Sequence, residues 1–208
     1  MKFIDQLKEK AKQNKKTIVL PETSDMRTIE AAGKVLAEGI ANIILVGDKE
    51  DIMSRAGDID LSGASFVDPK NYEKFDEYVD AFVEMRRKKG MTEARAKELL
   101  LTNPLYFGCM MVKQDDADGM VAGAINASAD VLRAALQTLK TAPGTRIVSA
   151  FFLVVVPDCQ YGANGTFVFA DAGLNQSPSA SELADIAEQS AKSFELLVDE
   201  TPVVAKLS

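Results

Sequence analysis

The chain has 208 residues, 47% hydrophobic and 26% charged, with a net charge of −7, which is typical of a globular protein of one to two domains. The acidic balance provides no basic face for a phosphate backbone, so nucleic acid is not an expected partner. The chain contains no histidine, which excludes Ser-His-Asp and Cys-His relays and removes the commonest metal ligand.

The first predicted elements alternate between strand and helix. Short β-branched runs predict strands over residues 17–21 and 41–48. Between them, residues 22–39 have apolar side chains at helical spacing, with Ser24 and Asp25 in the cap region. This βαβ unit predicts a parallel sheet with a right-handed crossover.

Three further helices are predicted in the middle of the chain, over residues 71–90, 91–101 and 103–114. The last of them has two start signals. Asn103 is placed to cap it, and Pro104 occupies the first position, where a missing N–H costs nothing.

The acidic run DDAD, residues 115–118, predicts a turn before a short buried strand over 119–124. Its carboxylates could hold Mg²⁺, but such a run is more often a solvated turn, and no metal site is predicted. A helix then starts at or near Ser128. Its predicted buried face comprises Leu132, Ala135, Leu136 and Leu139.

A domain boundary is predicted at residues 141–145, where proline and glycine interrupt the pattern. It separates a first α/β domain, residues 1–143, from the start of a second, residues 146–208. We expect the first to be a parallel sheet with helices on both faces.

The predicted second domain contains strands over 146–157 and 165–171 and a long helix over 179–200. A further strand is predicted over 202–208. Because a helix should follow such a strand in an open α/β sheet, the second domain is expected to be incomplete.

The segment INASAD, residues 125–130, predicts an anion site. A helix N-terminus offers free N–H groups and partial positive charge, and Asn126 and Ser128 can add side-chain donors. Arg133 lies opposite the predicted Leu132/Leu136 stripe, on the polar face. The alternative interpretation of Arg133 is a solvated pair with a carboxylate on the same face.

Arg86 is predicted to face inward. It follows Phe82 by four residues, so it continues the buried stripe of its helix, whereas Arg87 falls on the flank. A buried arginine needs an anionic partner. That partner is either a structural aspartate or a substrate oxyanion.

The two cysteines, Cys109 and Cys159, lack metal-site spacing, so reduced thiols are expected, and Cys159 is not favoured as a nucleophile. No apolar run reaches the roughly 18 residues needed to span a bilayer. The amphipathic helix predicted over residues 1–16 lacks a signal-peptide core. These features predict a cytoplasmic protein without a membrane partner.

Three stretches carry a family resemblance: residues 106–141 (YFGCMMVKQDDADGMVAGAINASADVLRAALQTLKT), 18–32 (IVLPETSDMRTIEAA) and 169–191 (FADAGLNQSPSASELADIAEQSA). In order and spacing they resemble the phosphate acetyl/butyryl transferase family. The resemblance implies two α/β/α domains of the isocitrate and isopropylmalate dehydrogenase type, a cleft active site and a homodimer. It also implies reversible acetyl transfer between coenzyme A and phosphate, with acetyl phosphate as the other substrate and no further cofactor.

The resemblance also implies roles for residues. Family arginines that hold phosphate and polarise the acyl carbonyl fall on Arg133 and, through the pattern E-x-R-x-x-K-G, on Arg86. The hydroxyl residue before AD falls on Ser128. Asn126 and Arg87 complete the expected substrate-binding set.

Several departures limit the resemblance. Ala127 and Ala134 stand where a hydroxyl residue and a proline are usual, and FADAGLN replaces FADCAVN. Family chains are also longer, and their further part carries a serine-arginine pair and an aspartate proposed as base for the thiol. The 208-residue chain alone is therefore expected to be nearly inactive.

Two alternatives stay open: a phosphate butyryltransferase with a longer acyl substrate, and a non-catalytic regulatory domain that binds acetyl-CoA or phosphate.

Overall fold

A four-stranded parallel sheet organises the first part of the chain. In this computed structural model, which describes residues 3–206, the strands are β1 (Lys16–Leu20), β2 (Ala41–Val46), β3 (Ser65–Val67) and β4 (Gly119–Met120). Their order is β3-β2-β1-β4. All three pairings are parallel, and Ile18 of β1 lies opposite both Ile43 and Gly119. The parallel sheet expected from the βαβ pattern is confirmed.

Seven helices accompany this sheet in the described part of the chain: α1 (Phe3–Gln13), α2 (Met26–Glu38), α3 (Lys49–Ala56), α4 (Phe75–Arg86), α5 (Glu93–Thr102), α6 (Pro104–Lys113) and α7 (Ser128–Thr138). A short 3-10 turn, Arg87–Lys89, extends α4. Asp25 caps α2 by accepting from the Arg27 N–H. Asn103 caps α6 in the same way, with Pro104 in the first turn, as predicted.

Two apolar clusters cover the two faces of the sheet. Successive strand residues point to opposite faces, so Val19 and Leu20 belong to different clusters. The Val19 cluster takes in side chains from α4, α5, α6 and α7, and the Leu20 cluster takes in side chains from α2 and α3. The sheet therefore lies between two helical layers. The loops that follow the carboxyl ends of β1 and β4 contribute to the candidate site.

The structure divides into two compact units, Ile4–Lys140 and a second that begins at Thr141. In the second unit, β5 (Phe151–Val155) and β6 (Thr166–Ala170) form an antiparallel pair with Phe151 opposite Ala170. Helix α8 (Ala180–Val198) begins with a capping box between Ser179 and Glu182 and packs on β6.

The strand predicted over residues 202–208 is wrong for the part that the structure describes. Residues 201–206 have no regular secondary structure, and residues 207–208 lie outside the described residues. A strand needs a neighbour that satisfies its backbone groups, and this apolar run pairs with none of the described strands.

The predicted buried face of α7 also needs correction. Its buried residues are Ala134 and Thr138, whereas Leu136 is 43% exposed and Leu132, Ala135 and Leu139 are half-buried. The Thr138 hydroxyl bonds to the Ala134 carbonyl oxygen at 2.8 Å and lies against Cys109 of α6. Small side chains at the contact let the two helices approach closely, which rotates the larger leucines outward.

Three further differences concern the loops and short elements. The sequence predicts neither helix α3 nor strand β3, because their apolar runs are short. Strand β4 ends at Met120, although residues 119–124 are predicted to be extended. The backbone N–H groups of residues 123–126 bond to a side chain instead of a neighbouring strand, as described below.

Candidate anion-binding site

Arg86 ends α4 with an unsatisfied donor. Its Nε atom is buried and has no hydrogen-bond partner in the described part of the chain. Its neighbour Arg87 is exposed and pairs with Glu84 at 2.5 Å. The helical spacing predicts this inward and outward difference. No aspartate pairs with Arg86 within residues 3–206, so its buried Nε donor is available to a further partner.

Tyr106 is close enough to both Arg86 and Arg133 for their charges to act on its phenol. Its ring packs edge-on against Phe82 of α4, with centroids 5.9 Å apart, and its hydroxyl donates to the Gln137 amide oxygen at 3.2 Å. Burial raises the pKa of Tyr106, and the positive charges of Arg133 and Arg86 oppose that rise. Both guanidinium groups therefore act on the same buried phenol, where α4, α6 and α7 pack together.

Arg133 is more exposed than Arg86. Its side chain is 58% exposed, and its Nη1 atom contacts the Asp130 carboxylate at 2.6 Å, three residues earlier on α7. This is the carboxylate pair considered as the alternative for Arg133. An exposed pair of this kind is worth only about 0 to 1 kcal/mol, so an arriving anion can replace Asp130 at little cost.

The N-terminus of α7 is open. Ala127 is its N-cap residue and supplies no side-chain hydrogen bond, so first-turn N–H groups are left without a cap. Ser128, predicted at or near the N-cap, is the first helical residue and is exposed. The serine hydroxyl and the helix terminus can therefore meet a ligand from solvent.

The loop before α7 already holds an anion, namely the carboxylate of Glu22. Glu22 accepts backbone N–H groups from Gly123 at 2.5 Å, Ala124 at 2.6 Å, Ile125 at 3.2 Å and Asn126 at 2.8 Å. The Asn126 side-chain amide donates to it at 2.7 Å. Asn126, predicted to bind substrate, is thus occupied by an internal partner.

Glu22 is a functional candidate that sequence reasoning missed. Its only local signal is an acidic residue directly after Pro21 at the end of a buried strand. Burial would raise the pKa of Glu22, but the hydrogen bonds from Asn126, Ala124 and Ile125 outweigh burial and hold the pKa at about 2. The group is therefore a permanent negative charge near neutral pH.

The acidic turn before β4 is occupied by structural contacts. Asp116 accepts from the Tyr72 hydroxyl at 3.2 Å and bonds with Tyr78 and Lys74. Asp118 accepts from the Thr17 N–H at 2.8 Å. Among residues 3–206, no group of three cysteine, aspartate or glutamate side chains is arranged to hold a metal ion.

Both cysteines are unpaired; Cys109 is buried and Cys159 half-buried. Burial raises the pKa of Cys109, which disfavours its thiolate. Within the described residues, no helix is both long enough and apolar enough to cross a bilayer.

The fold is α/β, and Arg86 and Arg133 both act on Tyr106 where α4, α6 and α7 pack together. The chain belongs to the phosphate acetyl/butaryl transferase family, whose sequence pattern it matches over residues 2–208. The resemblance noted in the sequence is confirmed.

Individual relatives align with the whole of this chain but are longer than it. The chain is 53% identical to a phosphate acetyltransferase of Acetivibrio thermocellus and 52% identical to one of Thermoanaerobacterium thermosaccharolyticum, with all of this chain aligned in both cases. It spans 62% and 63% of the length of these two relatives.

Two solved structures share the fold. The EutD phosphotransacetylase from Staphylococcus aureus superposes with a TM-score of 0.83 at 36% identity, over 94% of this chain and 57% of that one. A phosphotransacetylase from Streptococcus pyogenes gives 0.84 at 35% identity, over 94% and 58%.

Proposed function

We propose that this chain carries the phosphate-binding part of a phosphate acetyltransferase, which transfers an acetyl group reversibly between coenzyme A and inorganic phosphate. Family membership and the names of the relatives support the reaction. The single observation that carries the proposal is the buried, unpartnered Nε atom of Arg86 beside Tyr106, with Arg133 acting on the same phenol.

The reaction requires this kind of site. In the direction of acetyl phosphate formation, a phosphate oxygen bonds to the carbonyl carbon of acetyl-CoA, and the carbon–sulfur bond then breaks as the thiolate leaves. The attacking phosphate is an anion, and the carbonyl oxygen gains negative charge in the tetrahedral transition state. Guanidinium groups match phosphate geometry with two parallel hydrogen bonds, and a donor aimed at the developing charge is worth about 3 to 4 kcal/mol.

We assign Arg86 and Arg133 to these charges. Arg86 has a free buried donor and keeps its position on α4, whereas Arg133 exchanges Asp130 for the substrate anion. Ser128 adds its hydroxyl at the start of α7. Asn126 and Arg87, also predicted to bind substrate, bond here to Glu22 and Glu84 and must change partners before they can contact substrate.

Other features of the proposal rest on the family resemblance. They are the isocitrate dehydrogenase type of two-domain arrangement, a homodimer and coenzyme A as substrate with no further cofactor. A cytoplasmic location is proposed from the sequence features described above. The net charge of −7 supports the absence of a nucleic-acid partner. A membrane partner is likewise not proposed.

The proposal is tested first by binding, with Arg86→Ala and Arg87→Ala as a matched pair. Calorimetric titration of the purified chain with inorganic phosphate should show that Arg86→Ala weakens binding about tenfold or more, since a charge-assisted hydrogen bond is lost. Arg87→Ala should weaken binding much less than Arg86→Ala, because Arg87 is exposed and paired with Glu84. Equal phosphate affinity in all three proteins, or a larger loss at Arg87, would contradict the assignment.

Activity is then measured on a full-length protein that contains this chain, as release of free thiol from acetyl-CoA in the presence of phosphate, detected with a thiol-reactive dye. Thiol release that requires phosphate and yields acetyl phosphate supports the proposed reaction. Phosphate-independent thiol release would indicate a hydrolase instead.

A further inference from the structure

Glu22 occupies the centre of a loop that is contributed by a distant part of the sequence. It follows β1 after Pro21 and is only 2% exposed. Residues 123–126, which follow β4, fold over its carboxylate and direct four consecutive backbone N–H groups at it. Strands β1 and β4 are neighbours in the sheet, so both segments emerge at the same edge.

The segment that carries Glu22 is itself fixed. The Thr23 hydroxyl donates to the Val46 carbonyl oxygen at 2.6 Å, and Arg55 donates to the Thr23 carbonyl oxygen at 2.7 Å. Arg27 reaches the same loop from its other side by donating to the Ala124 carbonyl oxygen at 2.6 Å. Loop 123–126 is therefore held through both its donors and its acceptors.

A run of convergent backbone N–H groups forms a nest that favours an anion. A buried carboxylate is stable only where such donors replace its lost water, so Glu22 and the loop depend on each other. Gly123 has a φ of 109°, a conformation that residues with a side chain rarely adopt. The loop geometry is thus specific, and it ends at Ala127, the N-cap of α7.

The position of the loop determines where α7 begins. Ser128 comes two residues after Asn126, whose backbone and side chain both bond to Glu22. Any shift of the loop therefore also moves the open first turn of α7. Arg133 lies about one and a half turns further along the same helix, so its side chain moves as well.

We propose that Glu22 is a positioning residue: it acts as an internal anion that fills the nest of residues 123–126, so that a substrate anion binds at the first turn of α7 and not at the loop amides. This inference rests on the proposed function and deepens it. Glu22 touches no substrate, and its effect passes through the loop to Ser128 and Arg133.

The experiment compares Glu22→Ala, Glu22→Gln and Glu22→Asp, with the exposed Glu30→Ala on α2 as a control. Formate is the probe, because it is a carboxylate small enough to enter the space vacated in Glu22→Ala. Hydrogen exchange of the amides of residues 123–129 should accelerate at least about tenfold in Glu22→Ala and slow again with formate. Exchange in Glu30→Ala should match the unmodified chain with and without formate.

The other two variants separate charge from size. Glu22→Gln places amide N–H groups against the loop donors and leaves no room for formate, so its loop should exchange rapidly with no rescue. Glu22→Asp keeps the charge on a shorter side chain and should be intermediate. Loop exchange that is unchanged in both Glu22→Ala and Glu22→Gln would overturn the inference.

Phosphate titration completes the test. Glu22→Ala should bind phosphate about tenfold more weakly than the unmodified chain, and formate should restore the affinity. Tighter phosphate binding by Glu22→Ala would show that the vacated nest accepts the substrate anion, which contradicts positioning. If the unmodified chain binds no phosphate, the proposed function fails, while the exchange measurements still decide whether Glu22 holds the loop.

Discussion

The Tyr106 hydroxyl donates to the Gln137 amide oxygen at 3.2 Å, which joins α6 to α7 beside both candidate arginines. The Tyr106 ring packs against Phe82, one turn before Arg86 on α4. A single phenol therefore connects α6 to both α4 and α7 beside the candidate site.

Replacing Tyr106 with phenylalanine tests this junction. Tyr106→Phe should lower the free energy of unfolding by about 0.5 to 1.5 kcal/mol, the usual net value of one hydrogen bond. Urea unfolding followed by circular dichroism measures the change. Tyr161→Phe is the control, because Tyr161 is 70% exposed and its loss should leave stability unaltered. Equal effects in both variants would contradict a structural role for the Tyr106 hydroxyl.

In a full-length enzyme that contains this chain, Arg133→Ala should lower kcat/KM for acetyl phosphate by about 10² to 10⁴, the range for losing an oriented charged donor at a developing anion. Arg133→Lys should recover only part of this loss, since one ammonium cannot form two parallel hydrogen bonds. Steady-state kinetics measures both, with folding checked by circular dichroism. Turnover by Arg133→Ala close to that of the unmodified enzyme would leave Arg133 as a solvated partner of Asp130.

Glu22 should make stability depend on pH. Its folded pKa of about 2 lies below the unfolded value, so its stabilising contribution is present above roughly pH 5 and is lost as pH falls toward 2. A pKa lowered from about 4.3 to about 2 corresponds to roughly 3 kcal/mol. Urea unfolding of the unmodified chain and Glu22→Gln should give free energies that converge between about pH 5 and pH 2. A gap that stays constant across this range would contradict an ionised Glu22.

The acidic turn supplies a test of the structural interpretation of DDAD. Asp116→Asn should cost about 1 to 3 kcal/mol, because the hydroxyl groups of Tyr72 and Tyr78 and the Lys74 ammonium lose a charged acceptor. Asp115→Asn is the matched control, since Asp115 is exposed. Added Mg²⁺ should not raise the Tm of the unmodified chain. A Mg²⁺-dependent rise that disappears in Asp116→Asn would restore the metal interpretation.

The elements that were predictable from sequence have strong local signals. The Asn103-Pro104 start of α6 and the βαβ pattern of the first sheet depend on neighbouring residues, and both are present in the structure. The inward direction of Arg86 follows from its spacing to Phe82 alone. Apolar periodicity and capping residues are sufficient to predict an element where its packing agrees with these local signals.

Features that depend on distant partners were not predictable. The partner of Glu22 lies about a hundred residues away in sequence, and no periodicity connects the two segments. The buried face of α7 depends on small residues at its contact with α6. Apolar spacing therefore predicted the neighbouring leucine face, whereas Ala134 and Thr138 are the buried residues. The run after Thr201 has strand composition but no neighbouring edge among the described strands.

The bond between Glu22 and loop 123–126 also limits which single changes this chain can accept. Replacing Glu22 alone leaves four backbone N–H groups without an acceptor. Replacing Gly123 alone removes the turn that directs these groups at the carboxylate, so neither change is neutral by itself. The two segments are expected to covary across homologous chains, with lineages that lose the acid also rebuilding the loop.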